Sequence, residues 1–193
     1  MRVSKFLPLA PLAVMACLST PASADFYAGL VIGGGSGETE FDGFGTSTVD
    51  LDSSFRTVKL GYIMDSDNRF ELSVTGIDVE QDNNGLEHEF SGLDLDFKVP
   101  FGESKLRPYV GVGMGFYSWE DTGHLFVDGE DLSGVAINLS AGGLLELHER
   151  FEVEAGLQYK AIAWQSYEVR GSSEEIDVST SLTQLTLGGT FHF

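Results

Sequence analysis

The sequence predicts an all-β fold: eight antiparallel strands, joined in chain order, closing into a transmembrane up-and-down β-barrel. Three observations carry that expectation. After residue 25 the chain falls into runs of about ten residues in which apolar and polar side chains alternate, the pattern and length of a tilted membrane strand. The connections between these runs alternate long and short, as in barrels with brief turns at one end and longer loops at the other. The apolar faces carry no charge in mid-strand, whereas the polar faces hold Lys59, Glu71, Asp94, Asp96, Lys98, Glu152, Glu154 and Lys160. A soluble barrel turns its apolar face inward and a membrane barrel turns it outward. Charge at mid-depth on a lipid face would cost about 2–4 kcal/mol per Lys or Arg, so the charged faces belong inside.

The first strand is Phe26 to about Gly35, with Phe26, Ala28, Leu30 and Ile32 opposite Tyr27, Gly29, Val31 and Gly33. Acidic residues 36–53 read as a long loop. The second strand, 55–64, sets Val58, Leu60, Tyr62 and Met64 against Thr57, Lys59 and Gly61. Asp65-Ser66-Asp67-Asn68 has the composition of a tight turn. The third strand, 69–79, opposes Phe70, Leu72, Val74 and Gly76 to Glu71, Ser73 and Thr75, and a second acidic loop covers 80–89. The fourth strand ends at Val99, with Leu93, Leu95, Phe97 and Val99 facing away from Asp94, Asp96 and Lys98. Residues 100–105 form the next short turn.

In the fifth strand, 107–117, Val110, Val112, Met114 and Phe116 alternate with Gly111, Gly113 and Gly115. Pro108 falls near its start, where a missing N–H is tolerated. A third acidic loop spans 119–133. The sixth strand, 134–147, turns Val135, Ile137, Leu139, Ala141 and Leu145 outward, with Asn138, Ser140, Gly142 and Glu146 opposite. After the turn at 148–150, the seventh strand, 151–163, sets Phe151, Val153, Ala155, Leu157, Tyr159 and Ala161 against Glu152, Glu154, Gln158 and Lys160. A fourth loop, 165–177, leads to the eighth strand, 178–193.

In lipid every backbone N–H and C=O must be bonded internally, so the eighth strand is expected to pair with the first. Eight strands leave a lumen that side chains fill. The inward charges should therefore pair into a polar plug, with no permanent aqueous pore. Phe26, Tyr62, Phe70, Phe151, Phe191 and Phe193 suit an interfacial girdle at the short-turn end, and Phe116 suits the loop end. Tyr117, Trp119 and Trp164 carry inward parity unless a bulge shifts them.

Residues 1–24 read as a secretory signal: Arg2 and Lys5, an apolar run from Phe6 to Leu18, and the small-x-small site Ala22-Ser23-Ala24. The barrel domain would then be residues 25–193. The rival is a lipobox ending at Cys17, whose preceding Val14 and Met15 fit it poorly. Cleavage after Ala24 would remove the only cysteine, and with it thiol chemistry. It would also remove two of the 11 basic residues, leaving 9 against 30 acids and a net charge of −21. That charge excludes electrostatic binding of nucleic acid.

The tail reads Thr186-Leu-Gly188-Gly-Thr-Phe191-His-Phe193, apolar on one face and polar on the other. Thr186, Gly188, Phe191 and Phe193 occupy each fixed position of polar-x-Gly-x-x-aromatic-x-aromatic. This resembles the C-terminal assembly signal of bacterial outer-membrane β-barrels. Residues 26–193 as a whole resemble the small OmpA/OmpX-type barrels, which include opacity-type surface proteins. The resemblance implies the cell outer membrane of a Gram-negative bacterium and recognition by the barrel-insertion machinery. It also implies a monomer, with a role in envelope structure or surface interaction.

The resemblance also brings two rival functions, lipid A modification and a narrow gated channel. Lipid A deacylases of this size use an H-x-S arrangement, and His88, His124, His148 and His192 all lack a Ser two residues on. His124 with nearby Ser118 and Asp121 only loosely suits a palmitoyltransferase. Loop residues 36–53, 78–89 and 119–133 carry −5 each and 165–178 carry −3. Such loops keep a surface protein solvated, or hold divalent cations that bridge to anionic lipopolysaccharide. Glu80-x-Asp82-x-Asn84-Gly85 is half a calcium loop, but Ser91 stands where the pattern wants Glu. No cofactor, metal or catalytic residue is expected. Gly33-x-Gly35-x-Gly37 lacks the following helix of a dinucleotide site.

Overall fold

The computed structural model describes residues 26–43, 45–82, 85–120, 131–168 and 175–193. Outside these lie the predicted leader with Cys17, Asn83 and Asn84 of the calcium-like stretch, and His124 and Asp121 of the third loop. The elements are β1 (Phe26–Asp42), β2 (Thr46–Ile63), β3 (Arg69–Gln81), β4 (Glu87–Pro100), β5 (Leu106–Trp119), β6 (Leu132–His148), β7 (Phe151–Trp164), a two-residue β8 (Tyr167–Glu168) and β9 (Glu175–His192). The eight long strands pair antiparallel in chain order, and β9 returns to β1 to close the ring. β8 adds a short rung against β9.

Closure is staggered. A row of partners from Leu30 through Val58, Val74, Leu93, Phe116, Val135, Ala163 and Ser179 returns to β1 at Glu40, ten residues further along. A stagger of this kind tilts the strands by roughly 35–45° and leaves a narrow bore. Phe193 N–H reaches Phe26 O at 3.0 Å, tying the two ends of the ring together.

The strands are longer than the sequence suggested. Residues 36–53, read as a loop, are mostly the upper parts of β1 and β2, paired from Ser36↔Asp52 to Asp42↔Thr46. Likewise β3 runs to Gln81 and β4 starts at Glu87, inside the expected second loop. The acids misled because loops and solvent-facing strand surfaces share a composition. In the structure Glu38, Glu40, Asp50 and Asp52 face outward while Thr39, Phe41, Val49 and Leu51 face the bore. The third and fourth of the expected loops remain long connections, following Trp119 and Trp164.

The outer surface of the lower barrel is an apolar belt containing Leu30, Leu60, Leu72, Leu95, Val112, Leu139, Leu157 and Leu187, all exposed. Aromatic pairs crowd its short-turn edge: Phe26–Tyr62 at 5.0 Å between ring centroids, Phe70–Phe97 at 4.9 Å and Phe191–Phe193 at 5.7 Å. Among the described residues the barrel register shifts only between Glu146 and His148. No bulge therefore turns Tyr117, Trp119 or Trp164 outward, and all three are buried in the lumen.

Candidate functional site

The inner positions form layers. At the short-turn mouth, Arg69 opens β3 and Arg107 lies near the start of β5. Both donate to the Glu152 carboxylate, at 2.5 and 2.7 Å, and Arg107 also pairs with Asp67 at 2.6 Å. Above them four side chains from four strands close a ring. Lys59 bridges Glu71 at 2.9 Å and Glu154 at 2.8 Å, and Lys98 bridges the same two carboxylates at 2.8 and 3.1 Å. The Tyr27 hydroxyl donates to Glu71 at 2.6 Å. All four ring members are buried, and each ion has two partners, which offsets the several kcal/mol each loses on leaving water.

A third cluster gathers around Asp94. It accepts hydrogen bonds from Lys160 at 3.0 Å, Tyr117 at 2.6 Å, Thr75 at 3.0 Å and Asn138 at 2.9 Å. Lys160 also lies against the Tyr117 hydroxyl. Asp96 takes a longer bond from Asn138, at 3.3 Å. It borders a small cavity of about 50 Å³, lined also by Ser73, Ser140, Gln158 and Thr186. The space is large enough for a few water molecules.

The inward glycines make room for these charges. A Cβ at Gly113 would land on Asp96 Oδ1, one at Gly115 on Asp94 Oδ1, and one at Gly111 on Ser140 Oγ. The β5 wall is bare so that side chains from β4 and β6 can lie across it. Gly188 serves the same purpose for Glu154, whose Cγ would meet its Cβ at 3.0 Å.

All eight charged residues singled out from sequence therefore face the lumen, in clusters to which β1 through β7 each contribute a side chain. Sequence reading missed Arg69 and Arg107 as members, although their parity matches Glu71 and Tyr109. Both stand at strand ends rather than in mid-strand. Of the tail residues, Thr186 and Gly188 face inward, and Phe191 is exposed on the belt opposite Ala28 and Phe151.

Above these clusters the lumen changes character. Phe55, Ile77, Val79, Phe90, Trp119, Leu132, Ala136, Ile162, Trp164, Val178 and Leu182 pack into one buried apolar cluster. Trp119, Trp164 and Phe90 meet edge-on or tilted, with centroids 5.0–5.5 Å apart. The polar atoms among them pair: Trp164 Nε1 donates to Thr180 at 2.9 Å, Thr180 meets Thr39 at 2.8 Å, and Gln81 meets His88 at 3.3 Å. The polar plug therefore occupies the lower lumen, and the lumen above it is apolar.

The outer surface changes at the same level. On β3, Phe70, Leu72 and Val74 give way to Asp78 and Glu80 outside, while Glu71, Ser73 and Thr75 give way to Ile77 and Val79 inside. Outside, Asp52 stands opposite Glu80, Glu80 opposite Glu87, and Asp78 opposite Glu89. Arg56 lies 3.8 Å from both Asp78 and Glu89. Partial burial, then Asp78, holds the Glu89 carboxyl above its ordinary range, with Arg56 opposing.

Comparison with known proteins agrees with this architecture. The family model described as outer membrane protein beta-barrel domain matches residues 10–191. No curated protein matches the sequence. Among solved structures, the outer membrane protein AlkL has a TM-score of 0.59 at 16% identity, over 91% of this chain and 95% of that one. OprH of P. aeruginosa has a TM-score of 0.54 at 20% identity, over 88% and 100%. The outer membrane enzyme PagL has a TM-score of 0.51 at 10% identity, over 83% and 97%. At these identities the likeness is one of fold.

Proposed function

The chain belongs to the outer membrane protein β-barrel domain family, and from that premise we propose that it is a non-enzymatic envelope protein of a Gram-negative outer membrane. In this reading it is exported through a cleaved leader at residues 1–24. It is assembled as a monomer by the barrel-insertion machinery through Thr186, Gly188, Phe191 and Phe193, and it presents acidic surfaces outside the cell. The observation that carries the reading is the filled bore. The lumen cavity is about 50 Å³, whereas sites for small-molecule ligands run to roughly 300–1,000 Å³. The buried carboxylates of Glu71, Asp94, Glu152 and Glu154 are held by Lys, Arg, Tyr, Thr and Asn donors, and in this reading their role is to bind strands together.

The partner proposed for the outer acidic surface is lipopolysaccharide, bridged by divalent cations. Opposed carboxylates on neighbouring strands repel one another, and a cation shared with lipid phosphate relieves that repulsion. The test is retention of purified lipopolysaccharide by the detergent-solubilised protein with magnesium or calcium, then with chelator. Retention should need the cation, and retention that ignores chelator would remove the bridging role. Mass spectra of lipid A from cells with and without the gene address enzymatic action. An unchanged spectrum is expected, and a gained or lost acyl chain would make the protein an enzyme.

A further inference from the structure

The lumen holds two different obstructions in series, and only one resists rearrangement. In the lower ring Lys59 and Lys98 both bridge Glu71 and Glu154, at 2.8–3.1 Å. Any one contact can break and still leave each ion a second partner, and the cavity beside the ring is large enough for a few waters.

The apolar cluster has no such alternative. Phe90, Trp119, Trp164, Ile77, Ile162 and Leu182 fill the bore with ring-to-ring contacts, and hydrophobic constrictions close by excluding water. An ion would have to shed its hydration shell across layers dominated by apolar side chain, where the few polar groups, such as Thr39 and Thr180, are bonded to one another. Its position matters too. The change from belt to acids on the outer face of β3 and β4 falls at the same residues as the change from charge to apolar packing inside. The obstruction therefore sits where the barrel leaves the lipid.

We propose that the Phe90–Trp119–Trp164 cluster is the permeability seal of the barrel. This rests on the closed barrel alone and holds whatever the outer surface binds. The chain has two tryptophans, Trp119 and Trp164, and both lie in the cluster, so native fluorescence reports on the seal directly. In the unaltered refolded protein, emission should be blue-shifted and iodide should quench it at least tenfold less than in the denatured chain. Quenching close to that of the denatured chain would overturn the seal.

The functional arm is planar-bilayer recording in potassium chloride. It uses the unaltered protein, a Phe90→Ala/Trp119→Ala/Trp164→Ala variant and a Glu154→Gln variant, each first shown to keep its unboiled gel shift. The unaltered protein and Glu154→Gln should be silent, and the triple variant should show discrete conductance steps. Steps in the unaltered protein, steps in Glu154→Gln alone, or silence of a folded triple variant would each overturn the proposal. A triple variant that fails to fold is replaced by Phe90→Ala, for which iodide quenching should rise at least threefold. Unchanged quenching would overturn the proposal as well.

Discussion

Two regions of one barrel obey opposite rules. In the lower part, the outer face is Leu, Val and Phe and the bore is charged. In the upper part the outer face carries Asp52, Asp78, Glu80, Glu87 and Glu89, and the bore is Trp, Phe, Ile and Leu. The same eight strands run through both, with side chains alternating at the same period. Only the solvent outside has changed. Against lipid, the apolar residues go outward and the enclosed polar groups must satisfy one another. Against water, the hydrophobic effect draws apolar residues inward, as in any soluble barrel. The upper part is thus a short soluble-type barrel continuous with a membrane-type one, which explains how β1 and β2 stay paired well beyond the belt.

The largest effect should come from breaking the lower rule inside. Glu71→Leu removes the carboxylate that Lys59, Lys98 and Tyr27 share, and leaves buried charge under-compensated. A loss of about 3–5 kcal/mol is expected in denaturant titrations of the folded barrel. A loss under 1 kcal/mol would mean that the network contributes little.

Next is a direct test of the boundary on one face of one strand. Leu72→Lys places a charge within the belt and should cost about 2–4 kcal/mol. Glu80→Lys, further up the same outer face of β3, should gain up to about 1 kcal/mol, because it replaces like charges opposite Asp52 and Glu87. Equal effects at the two sites, measured in one lipid, would erase the distinction between the regions.

Gly113→Ala tests the bare wall that the lower region requires. Its methyl would displace Asp96 and press on Leu95 O, which lies 2.8 Å from the Cβ position. Overpacking of this kind costs about 1–3 kcal/mol. The denaturation midpoint should fall, and it should fall less in Gly113→Ala/Asp96→Ala, where the colliding carboxylate is gone.

The smallest effect concerns pH and the upper region. The folded state raises the affinity of Glu89 for its proton. Stability from this group is therefore fully present below the unfolded carboxylate range and is lost as pH rises through the folded, raised value. Mild acid should raise the melting temperature slightly, and Asp78→Asn should shrink that rise. A melting temperature that falls over the same pH interval in the unaltered protein, with Asp78→Asn making no difference, would contradict the assignment.

Much of the lower region was legible in the chain. Alternation at Phe70 to Val74 and at Leu93 to Val99 placed Glu71, Asp94, Asp96 and Lys98 on the inner face. The upper region was not legible in the same way. Residues 38–52 alternate as regularly as any strand, but their acids read as a loop, because composition does not distinguish a solvated strand face from a solvated turn. Trp119 and Trp164 had inward parity, yet the habit of aromatics at membrane interfaces argued against taking that parity at face value.

The sequence by itself determined the strand count, the alternating faces, the inward parity of the lumen charges and the acidity of the outside, since each depends on local order along one strand. Tertiary structure decided which charges meet. Lys59 and Glu154 are 95 positions apart, and only the closed and staggered ring brings them to 2.8 Å. It also decided where the two rules exchange. That boundary depends on ring closure and tilt, which align Ile77, Phe90, Trp119 and Trp164 from four strands into one layer that no single strand's pattern reveals.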